Sequence, residues 1–392
     1  MKYRKIIKEV EAVINEKQII AICGLRRTGK TTLLKYFLDR SPPGNKKYFD
    51  LERAEYRYLF REENYQNILK ALELEGLKLD EKAYIAIDEI QLVPDITSVI
   101  KYLYDNYDIK FFVTGSSSFY MKNQFAESLA GRKFLFELHT LSFDEFLLFR
   151  DVKLNLPKFE LQNANQYFYE KLNHYYETYI HFGGFPEIAL IDKPEIKKKY
   201  LHDILNSYLN LDIKYLADFT TTDEIFKLLK LLSARAGSKI DYTKISGISG
   251  INRKRIKEYL LFLESTFFIR LVSPYVTNTD REIALQKKIY FSDNGLLNIL
   301  GKISSGALFE NMIANQLYHL GPIKYYARKS GQEIDFILKD EMAFEVKETP
   351  TKSDLRMLES RAKKIDINKH SLIGRHFPPT GFNQFIWGGS IY

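Results

Sequence analysis

Over the first 150 residues, short β-branched and aromatic runs alternate with stretches whose apolar positions recur at helical spacing. AVINEKQIIAIC, KKYFD, AYIAIDEI and KFFVTG read as strands, and TTLLKYFLDR, between the first two, reads as a helix. Alternation of this kind predicts βαβ units and a parallel sheet covered on both faces. From about 150 to 275 the strand signals thin out, and a Leu-, Tyr- and Lys-rich sequence predicts mostly helices. Strands return in KIYFSD, KYYARK, EIDFILK and MAFEVKE, with a helix expected over 306–320. The grammar is that of an α/β protein with consecutive parts at 1–150, 151–218, 219–283 and 284–392.

Composition narrows the class. The 392 residues are 45% hydrophobic and 28% charged, enough apolar material for packed cores. Lys and Arg number 58 against 50 Asp and Glu, a net charge of +8 that permits a nucleic-acid partner without requiring one. The single cysteine, Cys23, excludes an intramolecular disulfide and a cysteine-rich zinc site. Charges recur every few residues at the N-terminus, unlike a signal peptide, and no apolar run approaches the roughly 20 residues of a membrane span. A cytoplasmic protein with no membrane partner is expected.

Gly24-Leu-Arg26-Arg27-Thr28-Gly29-Lys30-Thr31 fits G-x-x-x-x-G-K-[ST] between the apolar run IIAIC and the helical TTLLKYFL, which begins at Thr31 and Thr32. Such a loop curls its amide N–H groups around phosphates at a helix N-terminus. Lys30 then reaches the β- and γ-phosphates of ATP, and the Thr31 hydroxyl ligates Mg²⁺. The run Ala83–Ile87 ends in Asp88-Glu89. Asp88 is placed to hold Mg²⁺ through water, and Glu89 to orient the attacking water, which favours hydrolysis over kinase chemistry. A third run, KFFVTGSSS, ends in hydroxyls and fits a strand between the other two, aiming Thr114 or Ser116 at the γ-phosphate.

GLRRTGKTTLL, IAIDEIQ, VTGSSS and AGRKFLFELHTLSFDEFL together resemble, segment by segment over 18–147, the prokaryotic AAA+ and STAND-like P-loop ATPases. The resemblance implies Asp88 and Glu89 as the paired acids and Ser116 near the sensor position. It also implies Arg26 and Arg27 as loop residues of which only the backbone need matter. Arg132 becomes a γ-phosphate sensor, a finger acting on a neighbour in a homo-oligomer, or an ordinary surface arginine. His181-Phe-Gly183-Gly184-Phe-Pro186 resembles the element that closes the nucleotide site in this group. Pro186 offers a flat face for adenine, and a plain helix–helix turn explains the same residues.

Residues 243–263 read as a helix, a glycine turn and an Asn252-capped second helix with the apolar stripe Ile256, Tyr259, Leu260 and Leu263. Arg253, Lys254, Arg255 and Lys257 crowd its first turns, where recognition helices meet DNA. FFIRLV follows like the strand of a wing. The pattern resembles winged-helix domains, which serve either as DNA contacts or as packing modules.

Near the C-terminus, QEIDFIL and MAFEVK flank the turn Lys339-Asp340-Glu341. A hairpin folded about residue 340 sets Asp335 opposite Glu345 and Glu333 opposite Lys347, all on one face, with Ile334, Phe336, Phe344 and Val346 on the other. Opposed carboxylates destabilise a sheet unless a cation such as Mg²⁺ or Mn²⁺ joins them. The pattern resembles PD-(D/E)xK nucleases, with Ile334 in place of the proline. That resemblance implies Asp335 and Glu345 as metal ligands, Glu310 as the upstream helical acid, and Lys347 as the residue that positions the attacking water or stabilises the pentavalent charge. A solvent-exposed charged hairpin and a nuclease-like fold that binds without cutting are the alternatives.

The implied whole is an α/β chain: a P-loop parallel-sheet ATPase domain, a helical lid with a winged helix, and a restriction-endonuclease-like α/β domain. The expected function is ATP hydrolysis by a protein acting on DNA, with metal-dependent cleavage at the C-terminal domain. The alternative is an ATP-dependent switch whose last domain binds a nucleic-acid or protein partner.

Overall fold

The computed structural model describes residues 1–116, 129–153, 161, 163–213, 222–276, 285–328 and 331–392. The chain divides into two units, each discontinuous in sequence. The first comprises 1–139, 207–220 and 265–267, and the second 140–206, 221–264 and 268–392.

In the first unit, α1 (Ile6–Glu11), β1 (Ile19–Cys23), α2 (Lys30–Arg40), β2 (Lys46–Asp50), α3 (Ala54–Arg61), α4 (Tyr65–Leu74), β3 (Ala83–Asp88), α5 (Ile96–Asn106), β4 (Ile109–Gly115) and β5 (Lys133–Glu137) follow one another. The five strands form a parallel sheet in the order β2-β3-β4-β1-β5. Every residue of β1 and β4 is buried, as continuous apolar runs covered on both faces must be. On one face Ile20, Ile22, Ala86 and Phe112 pack against Leu33, Leu34 and Phe37 of α2 and Ile6, Ile7 and Val10 of α1. Each large side chain so buried contributes roughly 1.5–3 kcal/mol. The expected strand AVINEKQIIAIC is half right, since only its last five residues join the sheet. KFLFE, not read as a strand, supplies the edge strand β5.

Register sets up the chemistry. Ile22 pairs with Thr114, Cys23 with Gly115, and Asp50 with Asp88. The phosphate loop, Asp88-Glu89 and Thr114-Gly-Ser116 therefore leave the sheet at the same, C-terminal edge, where ligands of parallel sheets bind. The strand β4 lies between β1 and β3, the position its hydroxyl-rich end requires.

The second unit contains α6 (Phe143–Phe149), α7 (Gln166–Phe182), α8 (Pro186–Leu190), α9 (Pro194–Ser207), α10 (Thr222–Ser233), α11 (Tyr242–Ser249) and α12 (Arg253–Ser265). An antiparallel pair follows, β6 (Ile269–Val272) with β7 (Lys288–Phe291), and then α13 (Asn294–Leu300) and α14 (Ser305–Leu320). The strands β8 (Ile323–Ala327), β9 (Glu333–Leu338), β10 (Met342–Lys347), β11 (Lys369–Gly374) and β12 (Ile386–Trp387) form a mixed sheet, with α15 (Lys352–Lys363) between β10 and β11. The sequence reading reached as far as β10, and α15, β11 and β12 complete the sheet.

Candidate functional site

The phosphate loop joins β1 to α2 through left-handed backbone at Arg27 (φ 64) and Gly29 (φ 100). Gly24 is obligatory: its φ is 149, and a Cβ there would stand 2.2 Å from the Leu138 carbonyl oxygen. Thr28 closes the loop by donating to the Leu25 carbonyl (2.8 Å), and Arg4 donates to the Thr28 carbonyl from outside (2.9 Å). Lys30, 4% exposed, directs its ammonium at the Gly24 and Leu25 carbonyls (3.1 and 3.2 Å) and lies 3.9 Å from Glu89 Oε1. Thr32 is exposed on α2.

The acids sit where the register puts them. The Thr31 hydroxyl donates to Asp88 Oδ2 at 2.6 Å and Tyr48 to the same oxygen at 2.9 Å, while Thr114 donates to Oδ1. A hydroxyl and a carboxylate in direct contact beside a phosphate loop form the donor set that suits Mg²⁺. Glu89 takes a left-handed backbone (φ 55) that turns the chain sharply out of β3, and its N–H donates to Thr114 Oγ1 at 3.1 Å. Thr114 thus fixes the acid pair, and Ser116 stands beside it, joined to Glu89 through Gln91. Burial alone would raise the Glu89 carboxyl, but Lys30 and Arg26 hold it below its ordinary value. It is therefore ionised at neutral pH, as a base must be.

Two residues of this site went unread in the sequence. Gln91, in the short 3₁₀ turn after Glu89, donates to Glu89 Oε2 and to Ser116 Oγ (2.9 Å). Its signal was present in IAIDEIQ. Asp212 ends the π-helical turn Tyr208–Asp212 and is 3% exposed, accepting from Ser116 Oγ at 2.9 Å and from Arg26 Nε at 3.1 Å. Nothing near Asp212 in the sequence announces it. The expectation that only the Arg26 backbone matters is corrected, since its guanidinium also pairs with Glu52 (3.1 Å).

Arg132 does not serve its own nucleotide site. Its carbonyl accepts from Ile19 N–H at the start of β1, four residues or about 13 Å along the strand from the loop-bearing end. Its guanidinium is paired with Asp105 at 2.8 and 3.1 Å. The finger and the ordinary surface arginine are the two readings that this position leaves, and the pair with Asp105 is what a surface arginine forms.

Gly183 and Gly184 belong to the turn between α7 and α8, where Pro186 occupies the first helical turn. At Gly183 (φ 74) a Cβ would lie 2.2 Å from Asp293 Oδ1, and Gly184 N–H donates to Asp293 Oδ2 at 2.8 Å. The glycines admit a buried carboxylate that also caps α13 through Gly295 and Leu296 N–H. Burial pushes Asp293 up to about 6 despite these bonds.

The helix–turn–helix forms as read: Gly250 ends α11 (φ 76), Asn252 accepts from Arg255 N–H at 2.9 Å, and Ile256, Tyr259, Leu260 and Leu263 are buried. Arg253, Lys254 and Lys257 are exposed. Arg255 departs from the expectation, because its Nε donates to Tyr259 Oη (2.6 Å) and pairs with Glu224 (3.1 Å).

At the C-terminal hairpin the expected register holds through Phe336–Phe344. The ladder stops one rung short of Asp335 and Glu345, because Asp335 Oδ2 itself accepts the Val346 N–H at 2.8 Å. The expected Glu333–Lys347 pairing is replaced: Lys347 binds Glu345 Oε1 (3.0 Å), joined by Arg361 (3.3 Å), and Glu333 binds Lys288 of β7 (2.5 Å). Ile337 and Ala343, on the carboxylate face, are also buried, so this is no exposed hairpin. Lys288 is 4% exposed and 3.8 Å from Glu310, which accepts from Tyr290 Oη at 2.8 Å. Burial and the Asp335 charge push Glu310 up to about 7 and raise Glu345, and burial raises Asp335. The buried Glu345 Oε2 has no hydrogen-bond partner. Among the described residues, no three acid, histidine or cysteine groups gather as a ready metal site, and the expected third ligand, Glu310, is engaged by Tyr290 and Lys288. Also among the described residues, no helix is long and apolar enough to cross a membrane.

Comparison with known proteins agrees with this N-terminal geometry. Residues 16–147 match a family described as an AAA domain, and 173–307 and 305–377 match two domains of unknown function (DUF8612 and DUF4143). An uncharacterized protein of Methanocaldococcus jannaschii is 26% identical over 98% of this chain and 87% of its own length. One of Haemophilus influenzae is 27% identical over 89% of this chain and 88% of its own. Among solved structures, the Walker-type ATPase of Pyrococcus abyssi is similar with a TM-score of 0.49 and 17% identity, over 76% of this chain and 96% of that one. The Orc1 protein of Aeropyrum pernix in complex with DNA is similar with a TM-score of 0.34 and 12% identity, over 75% and 90%.

Proposed function

We propose that this chain binds ATP at the phosphate loop, hydrolyses it, and couples the cycle to action on DNA. The observation that carries hydrolysis is Glu89: a buried carboxylate, ionised by its neighbours, beside the Thr31–Asp88 contact. Thr31 and Asp88 would hold Mg²⁺, which when bound neutralises charge on the β- and γ-phosphates. Loop amides and Lys30 orient the phosphates. Glu89 orients water and accepts its proton, and Gln91 and Thr114 keep Glu89 in place. Replacing Glu89 with Gln should leave ATP binding intact and lower turnover by about 10²–10⁴-fold. Turnover at the wild-type rate would remove Glu89 from this role.

DNA enters through charge: Arg253, Lys254 and Lys257 present exposed cations on the second helix of a helix–turn–helix. At the hairpin, Asp335 and the partnerless oxygen of Glu345 suit a Mg²⁺ or Mn²⁺ ion, which would activate water for phosphodiester cleavage next to Lys347. The buried Lys288 among the same acids favours the second reading, a switch whose last domain binds without cutting. Mn²⁺-dependent nicking of plasmid by the wild type and not by Asp335→Ala supports cleavage, and equal absence of nicking in both supports the switch.

A further inference from the structure

The partners of Asp212 are also those a terminal phosphate would need. Arg26 belongs to the phosphate loop, and Ser116 directly follows β4 at the sheet edge that carries Glu89. Both give a hydrogen bond to the Asp212 carboxylate, and Ser116 receives one from Gln91, which holds Glu89 as well. The ammonium of Lys30 and the carboxylate of Glu89 both act on Asp212 through their charge, so the three lie within one electrostatic neighbourhood. Asp212 reaches this place from a turn fixed at its other end, where the Tyr208 hydroxyl meets Thr266 Oγ1 at 2.5 Å. The carboxylate is buried and wrapped by donors, so it is a built anion site with a protein anion in it.

We infer that Asp212 competes with the terminal phosphate of a nucleoside triphosphate for Arg26 and Ser116, and that this competition sets how the site discriminates triphosphate from diphosphate. The inference rests on the proposal that the loop binds ATP. A γ-phosphate beside Lys30 and Glu89 brings two negative charges toward a buried carboxylate, and like charges there are poorly screened. Binding a triphosphate therefore requires Asp212 to give up Arg26 and Ser116, whereas a diphosphate ends one phosphate short of them. Asp212 raises the cost of the triphosphate state alone. Its withdrawal would turn the Arg26 guanidinium from carboxylate to phosphate, a planar donor suited to either. Burial, together with the Glu89 charge, already pushes the Asp212 carboxyl above its ordinary value against the pull of Arg26, so the site holds this carboxylate at a cost.

The test measures binding of a non-hydrolysable ATP analogue and of ADP, each with Mg²⁺, to the full chain and to Asp212→Asn and Asp212→Glu. Asp212→Asn should tighten the analogue by about tenfold or more while ADP changes by less than about threefold. Asp212→Glu, which keeps the charge, should retain the wild-type ratio of the two affinities. ADP binding reports that each variant is folded. Equal gains for both nucleotides, or an unchanged or weaker analogue affinity in Asp212→Asn, would overturn the inference and leave ATP binding standing. A wild-type chain that binds neither nucleotide would instead overturn the ATP reading itself, and this inference with it.

Discussion

The nucleotide site and the C-terminal carboxylate cluster both bury several charges, and they treat their central carboxylates, Glu89 and Asp335, in opposite ways. Around Glu89 the cations are arranged so that burial is overcome and the carboxylate stays ionised, with Lys30 and Arg26 supplied by a loop shaped for another anion. Around Asp335 burial wins: Glu310, Asp335 and Glu345 all sit above their ordinary values although Lys288, Lys347 and Arg361 lie among them. The first arrangement is prepared for chemistry at neutral pH without further help. The second is short of positive charge, and either a bound cation or protonation completes it. Buried charge therefore marks function only when its balance is worked out group by group.

The sharpest break between the two sites is ATP turnover itself. Lys30→Ala removes the ammonium that faces the phosphates and should lower turnover by at least about 10²-fold. Lys347→Ala, made in the other cluster, should leave ATP turnover unchanged. A steady-state phosphate-release assay on both variants checks the pair, and equal losses would mean that the two clusters are not separate in function.

How far each site was legible follows from where its residues lie in the chain. The phosphate loop occupies eight consecutive residues whose conformation is dictated locally, and Asp88-Glu89 follow a strand that any reading of alternation finds. Asp212 lies 124 residues after Asp88, in YLNLDIKYL, where an aspartate on a helical stretch has no local mark of burial. Lys288 reads as the start of a strand in KKIYF, and only the packing of β7 near α14 and β9 places it among acids. Hairpin register was legible because period and turn fix it, yet the final rung was not, since the Asp335 side chain takes the Val346 N–H that a backbone carbonyl would otherwise accept.

If the acidic cluster is short of cations, removing one should be severe and reversible. Lys288→Met leaves Glu310 and Glu333 without their buried partner, and breaking a buried ion pair in this way costs about 3–5 kcal/mol. Mn²⁺ should restore much of that loss in the variant, read as the chemical-denaturation midpoint with and without the ion. A Lys288→Met chain as stable as the wild type in chelator would show that the lysine is not part of the charge balance.

Asp293 offers an intermediate case, a carboxylate committed to backbone donors at Gly184, Gly295 and Leu296 and still raised from 3.8 to about 6. Because its folded value lies above its unfolded one, its contribution to stability is full below about pH 4 and is lost as pH rises through 6. At 1.4 kcal/mol per unit the total is about 3 kcal/mol. Asp293→Asn removes the titration, though its amide then faces the Gly184 N–H. Its unfolding free energy should be lower at low pH and fall less steeply between pH 4 and 6 than that of the wild type, the remaining slope coming from the other raised carboxyls such as Glu310. Parallel slopes in the two chains would assign that region of the pH profile to other groups.

The smallest effect applies the same distinction to single residues of α12. Arg253 and Lys257 are exposed, the latter with its ammonium over the Tyr242 ring, whereas Arg255 is committed to Tyr259 and Glu224. Removing a cation that neutralises one phosphate should reduce the slope of log affinity against log salt by about 0.9. Arg253→Ala and Lys257→Ala should therefore each flatten the salt dependence of duplex binding by up to that amount, without regard to sequence and with stability unchanged. Arg255→Ala should leave the slope alone and instead loosen the anchorage of α12 to Glu224, visible as faster amide exchange in its first turns. Binding titrations at several salt concentrations separate the two outcomes. A slope that falls in Arg255→Ala and not in the other two would mean that the committed arginine breaks its internal pair on DNA, and that exposure in the free chain is a poor guide to which cations serve the ligand.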